Sequence, residues 1–227
     1  MDGNGRWATQ KGVARLFGHR NAVQSVKDVV EGCGELGVKF LTLYAFSTEN
    51  WGRPKDEVDG LMELLVNTLK KEIKSLHENR VKLKTIGSID HLPKMCQTNL
   101  ADAIEATSKN TGLTLILALS YSGRWEIAQA AKRIAADSKT GRVHPEDINE
   151  ELFSSYLATS GIPDPELLIR TSGEMRVSNF LLWQLAYTEF FITQKLWPDF
   201  RKEDLYEAIC DYQHRERRFG KIAEPSL

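Results

Sequence analysis

Cysteine is scarce in this sequence. Cys33, Cys96 and Cys210 are odd in number and widely spaced, with no CxxC and no histidines at metal-ligand spacing. That argues against a disulfide framework or a structural zinc site and reads as free thiols in a reducing compartment. No apolar run approaches the ~18 residues a membrane span requires, and no charged-then-apolar leader opens the chain, so a cytoplasmic location is expected. Neither sign of charge dominates: 30 Lys plus Arg stand against 31 Asp plus Glu, a formal net of −1. A broad basic face for nucleic acid is therefore not expected. The balance leaves room for arginines gathered in a cleft around a small anion. A GxxxxGK[ST] phosphate loop, a GxGxxG turn after a strand and an aspartate-rich DDxxD segment are all missing, which argues against ordinary nucleotide hydrolysis and dinucleotide chemistry.

What remains is ample for a folded core. The chain has 227 residues, 41% hydrophobic and 27% charged, and neither linker nor low-complexity tract divides it. Residues 1–227 read as a single domain. Short β-branched or aromatic runs at 40–46 (FLTLYAF), 81–86, 113–119 (LTLILAL), 167–170 and 190–193 predict strands. Helical spacing predicts helices over 21–36, about 55–78, 95–109, 125–136, 149–159 and 202–218. Near-continuous apolar strands separated by helices predict an α/β fold with a central parallel β-sheet surrounded by α-helices.

In such sheets a ligand sits beyond the carboxyl ends of the strands. There the sequence places Ser47, Thr48, Glu49, Asn50, Trp51, Gly52 and Arg53, then Ser120 to Trp125, then Arg170, Thr171, Ser172, Gly173 and onward through Arg176, Val177 and Ser178. Arginine, small hydroxyls and glycine together suit phosphate oxygens. The opening Asp2-Gly3-Asn4-Gly5-Arg6-Trp7 has the same character, and Asp2 among anion-binding groups suggests a bridging divalent cation such as Mg²⁺. On a helix, Arg15 and His19 project from one face.

Taken singly, each feature has an ordinary reading: an Asx turn at 2–5, surface salt bridges at Arg170 and Arg176, an unremarkable histidine at 19. Convergence of four segments on one sheet edge favours a Mg²⁺-assisted enzyme acting on phosphorylated small molecules.

Seven segments in order carry a resemblance: MDGNGRWA at 1–8, FGH at 17–19, LYAFSTENWGRP at 43–54, IRTSGE at 169–174, SNFLLWQ at 178–184, LWPDF at 196–200 and RERRFG at 215–220. They are similar to signatures of the cis-prenyltransferase family, which includes the bacterial undecaprenyl diphosphate synthases. The resemblance implies a homodimer that condenses an allylic diphosphate, farnesyl diphosphate being the expected primer, with successive isopentenyl diphosphates. A long Z-polyprenyl diphosphate serving as a cell-wall lipid carrier is the expected product. A shorter-chain synthase and a non-catalytic partner subunit are the alternatives.

The same resemblance implies that Asp2, Gly3, Asn4, Gly5, Arg6, Trp7, Arg15, His19 and Arg53 lie at the allylic diphosphate. Asp2 and Glu189 would hold Mg²⁺. Arg170, Arg176, Val177 and Ser178 would meet the isopentenyl diphosphate, with Arg218 and Gly220 reaching a partner subunit's site. Ser47, Thr48, Glu49, Asn50 and Trp51 would surround the reacting carbons, Asn50 serving in proton removal. The stripe of Leu61, Met62, Leu65 and Leu69, with Ala45 and strand 113–119, lines either a product tunnel or ordinary core. A greasy product implies transient contact with a membrane surface.

Three departures from the family pattern stand out. An apolar strand is expected upstream of Met1. Met175 stands where histidine is common, and a thioether cannot take over a histidine's proton chemistry. Glu126 follows GRW where aspartate is usual.

Overall fold

The computed structural model describes residues 1–216. Strands form where the sequence runs short and apolar: β1 (Phe40–Ser47), β2 (Lys82–Ile86), β3 (Thr114–Tyr121), β4 (Leu167–Arg170) and β5 (Glu189–Ile192). Between and around them lie α1 (Asn4–Gln10), α2 (Arg15–Glu35), α3 (Lys55–Glu78), α4 (Lys94–Thr107), α5 (Gly123–Lys139), α6 (Glu150–Ser155) and α7 (Lys202–Gln213). Every pairing is parallel, as apolar strands covered on both faces require.

Strand β3 is the axis. It pairs with β1 on one side and β2 on the other, and it is buried from Leu115 onward. Alternation sends Leu115, Leu117 and Leu119 into a core with α2, α3, α4 and α7, while Ile116 and Ala118 enter a second core with Leu181 and Leu185. Tyr121 breaks that parity and joins the second core. The cause is Ser120, whose φ of +48° turns the chain through the left-handed region at the strand's end.

The structure corrects several sequence expectations. The helix expected at 21–36 starts at Arg15. Gly18 does not interrupt it, because the turn packs on α1 so closely that a Cβ there would lie 2.1 Å from the Asn4 carbonyl oxygen. The helix expected at 149–159 is shorter, ending at Ser155, while that at 125–136 runs longer at both ends. The helix expected at 202–218 ends at Gln213, and positions 217 and 218 lie outside the described residues.

The central parallel sheet comes in two parts, β1-β3-β2 and β4-β5, rather than one continuous ladder. Consecutive residues 40–46 of β1 and 167–170 of β4 line the same cavity. Alternate residues of a strand face opposite ways, so consecutive lining means that free strand edges border this space. A groove thus separates the two parts, and Met1 lines it as well.

Candidate active site

Asp2 reaches the sheet's carboxyl edge through its own backbone. Its carbonyl accepts from Trp197 N–H at 2.9 Å and from the Thr171 hydroxyl at 2.9 Å, and its N–H donates to Thr171 Oγ1 at 3.0 Å. Gly3 follows at φ +98°, where any side chain would collide with Ser172 Oγ at 2.3 Å. That turn points Gly3 N–H at Asp2 Oδ1, 2.8 Å away, while Arg170 Nη2 donates to Oδ2 at 3.1 Å. Burial pushes the carboxyl's pKa up, but the Arg170 and Gly3 hydrogen bonds outweigh it and hold Asp2 below the usual carboxylate range.

Around Asp2 the arginines are braced by carboxylates. Glu57, in the first turn of α3, takes Arg53 at 3.0 Å and Arg15 at 3.6 Å. Glu174 takes Arg6 at 3.0 Å and Arg176 at 2.5 Å. Arg170 is the most enclosed of the set, with a side chain 13% exposed, and it donates to Ser178 Oγ at 2.9 Å and to the Arg176 carbonyl. Asn4 Nδ2 lies 3.3 Å from His19 Nδ1. Burial, with Arg53 and Arg15 nearby, holds the His19 pKa down to about 4 against the pull of Glu57, so the imidazole is neutral at pH 7.

The turn after β1 supplies the third wall. Residues Thr48–Gly52 form a 3₁₀ turn capped by Ser47, with Ser47 N–H donating to Asn50 Oδ1 at 3.1 Å. The basic oxygen of the Asn50 amide is therefore already engaged. Trp51 Nε1 donates to Ser120 Oγ at 2.9 Å, and Thr48 Oγ1 reaches Glu49 at 3.2 Å.

One cavity of about 1910 Å³ joins these walls. Asp2, Gly3, Asn4, Gly5, Arg6, Arg15, His19, Ser47, Asn50, Arg53, Arg170, Arg176, Val177 and Ser178 all line it. Thr48, Glu49 and Trp51 are not among its lining residues. Trp7 points elsewhere, donating to Asp199 at 2.8 Å and stacking on Phe17. Arg218 and Gly220 lie outside the described residues. From this polar mouth the cavity continues between β1, β3 and α3, past Ala45, Leu61, Met62, Leu65, Leu69 and Leu115 to Leu76. The stripe read as tunnel or core lines this cavity, and Met62 and Leu69 are also core residues. From Leu61 to Leu76 the wall is about 22 Å long at the ~1.5 Å helical rise.

Glu189 is not brought beside Asp2. It opposes Leu167 at the start of β5, whereas Arg170 opposes Ile192, so roughly 10 Å of strand separates Glu189 from the arginine that holds Asp2. Its carboxylate pairs instead with Arg215 at 2.9 Å. Among the described residues no group of three or more His, Cys, Asp and Glu could hold a metal ion. A half-exposed, ionised Asp2 nevertheless fits Mg²⁺, which takes one or two carboxylates and completes its shell with phosphate oxygens.

Several working partnerships escaped the sequence reading, although Thr171 and Glu174 lie in segments it singled out and Glu126 was noted as a departure. Glu57 and Glu174 brace arginines, and Thr171 anchors Asp2. Glu126, 1% exposed, accepts from Tyr121 at 2.6 Å, Gln184 at 3.0 Å and Ala158 N–H at 2.9 Å, locking the second core under the site. Only Glu57, four residues after Arg53, carried a local signal.

A parallel α/β domain with arginine-lined oxyanion sites opening on a long apolar chamber has the makings of a transferase for a lipid-like diphosphate. The family model described as "Putative undecaprenyl diphosphate synthase" matches residues 1–220, and the chain belongs to that family of prenyl-transferring enzymes. It is 54% identical to an isoprenyl transferase of Clostridium perfringens over 98% of this chain and 88% of that protein. An isoprenyl transferase of Chlorobaculum tepidum is also 54% identical, over 99% of this chain and 84% of its own. Among solved structures, lavandulyl diphosphate synthase from Lavandula x intermedia, in complex with dimethylallyl diphosphate, superposes with a TM-score of 0.94 at 39% identity, covering 97% of this chain and 95% of that one. A "probable undecaprenyl diphosphate synthase" from Campylobacter jejuni superposes at 0.79 and 35% identity, over 88% and 92%.

Proposed function

We propose that this cis-prenyltransferase extends an allylic diphosphate, farnesyl diphosphate in the first instance, with successive isopentenyl diphosphates to a long Z-polyprenyl diphosphate of the undecaprenyl class, the form used as a cell-wall lipid carrier. The observation that carries it is the joining of two arginine-braced oxyanion sites to an apolar chamber along α3 within one cavity. That cavity exceeds the roughly 300–1,000 Å³ of compact ligand sites, part of it being the groove between β1 and β4.

Asn4, Arg15, His19 and Arg53 would take the allylic diphosphate, and Arg170, Arg176 and Ser178 the isopentenyl diphosphate. As the allylic C–O bond breaks, negative charge grows on the departing diphosphate, and guanidinium groups already aimed at it lower the barrier. Mg²⁺ held by Asp2 would supply further neutralisation of that charge. Neutral His19 can donate a hydrogen bond to phosphate without changing its protonation. Asn50 Oδ1 accepts one hydrogen bond from Ser47 N–H and keeps a second lone pair, which would take up the new cation's acidic proton, for which a weak base suffices.

The reading includes a homodimer, a cytoplasmic setting and transient contact with a membrane surface on product release. The free thiols of Cys33, Cys96 and Cys210 support a reducing compartment. Among the described residues no helix is long and apolar enough to cross a membrane. The groove between β1 and β4 supports a single domain in which an extended apolar segment, expected upstream of Met1, pairs with both edges and joins the strands into one sheet. A shorter-chain product is the second reading, favoured by the likeness to lavandulyl diphosphate synthase.

Incubation with farnesyl diphosphate, radiolabelled isopentenyl diphosphate and Mg²⁺ is expected to give organic-extractable product, and thin-layer sizing separates the two readings. A folded dimer that incorporates no label overturns both. Asp2→Ala is expected to abolish incorporation while the circular dichroism spectrum is retained.

A further inference from the structure

Asn179 lies outside the residues assigned above to either diphosphate, yet it touches the elements that carry both. It sits at φ +60°, beside Ser178 at +49°, in a region that asparagine tolerates better than most residues. Its carbonyl accepts from Gly123 N–H at 2.6 Å, and its side-chain Oδ1 accepts from Arg124 N–H at 2.9 Å, tying residues 176–179 to the first turn of α5. A backbone N–H can only donate, so it fixes which end of the amide is oxygen. The NH₂ end is thereby turned to Glu49, donating to Oε1 at 2.7 Å across 130 residues of sequence. A carboxamide can accept from an N–H and donate to a carboxylate at once, which neither a carboxylate nor an ammonium can do.

Glu49 stands immediately before Asn50, in a turn stiffened by the Ser47 to Asn50 cap. A shift of Glu49 therefore moves Asn50. We propose that Asn179 is a positioning residue: through Glu49 it fixes the segment bearing Arg176 and Ser178 relative to Asn50 and the carbons that join. The proposal rests on the prenyltransferase reading above and assigns Asn179 no contact with substrate. Misplacement of about an ångström between bound partners is enough to cost large factors in rate.

Asn179→Asp isolates the contact. The new carboxylate still accepts from Arg124 N–H, so the link to α5 persists, but it faces Glu49 as a like charge with no donor. We expect kcat to fall tenfold or more, while the Kd of isopentenyl diphosphate and of farnesyl diphosphate, each titrated alone, stays within about twofold. In a Glu49→Gln background the same substitution is expected to change kcat less than about twofold, because the amide introduced at position 49 donates to the carboxylate introduced at 179. Hydrogen–deuterium exchange gives a readout free of activity: Asn179→Asp is expected to speed exchange in both 48–52 and 176–179, and E49Q/N179D to restore it. An equal loss of kcat in both backgrounds overturns the proposal, as does a loss confined to Kd. Unchanged exchange at 48–52 also overturns it, and decides the matter if Glu49→Gln alone abolishes turnover. Failure of the wild-type chain to make any prenyl product would overturn the activity reading instead and leave the exchange comparison standing.

Discussion

Arg15 opens α2 and Arg53 stands two residues before α3, whereas Arg170 and Arg176 flank a loop. The first pair shares Glu57, whose side chain is 11% exposed and fixed in the first turn of α3. Arg176 shares the 25% exposed Glu174 with Arg6, in a stretch where Ser172, Gly173, Ser178 and Asn179 all have positive φ. Helical backbone positions a side chain without further help. The loop instead holds its shape through hydrogen bonds converging on Arg170, Thr171 and Asn179. Under the reading proposed above, the clamp would hold the diphosphate that departs at each addition, and the loop the diphosphate that the incoming unit carries into the lengthened product.

The comparison is broken most sharply at Arg170, which ties the loop to Asp2 by holding Asp2, Ser178 and the Arg176 carbonyl together. Arg170→Ala is expected to lower kcat/KM at least 1,000-fold, the scale of losing a charge stabiliser together with the alignment it imposes. Steady-state label incorporation measures it, with circular dichroism as the folding control. A loss under tenfold would mean that the loop keeps its shape without its hub.

His19 tests whether the helical side is as closed as it looks. Its pKa is about 4 when folded against the ordinary 6.5, so between these values the unfolded chain binds more protons and stability falls with falling pH. At pH 4.5 this amounts to about 2–3 kcal/mol. His19→Gln is expected to flatten that part of the acid limb in urea melts, without altering the slope above pH 7. Coincident limbs would place the imidazole in open water.

How much of this was legible beforehand differs between the same two regions. The five strands announced themselves as apolar runs, and arginine, glycine and hydroxyls at their carboxyl ends marked the cleft. Glu57 lay within one helical turn of Arg53 and was readable in principle. The partnerships of Thr171 with Asp2 and of Asn179 with Glu49 span most of the chain, and local pattern carries no trace of them. The expectation that Glu189 would share a cation with Asp2 came from the resemblance, and the β4–β5 register sets the two apart within the chain. The groove beside β1 was foreshadowed only by the resemblance, through the apolar strand expected upstream of Met1; its place between β1 and β4 was hidden, because edge pairing is a property of topology and not of any one strand.

The two braces themselves provide the last tests, and their order follows from burial. Glu57→Gln removes a charge whose own side chain is only 11% exposed, and whose pair with the 32% exposed Arg53 is the less screened of its two, so Arg15 and Arg53 lose a common anchor. KM for farnesyl diphosphate is expected to rise about tenfold, with kcat nearly unchanged. Glu174→Gln acts in a wetter place. Its carboxylate both steadies Arg6 and Arg176 and competes with the incoming diphosphate for them, and pairs at such exposure contribute about 0–1 kcal/mol. These effects oppose each other, so KM for isopentenyl diphosphate is expected to move by no more than about threefold. Assays at two ionic strengths should shrink the Glu174 effect more than the Glu57 effect, since salt reaches the loop first. A larger penalty at Glu174 than at Glu57 would reverse the assignment, making the loop the rigid half of the cleft and the helix termini the adjustable one.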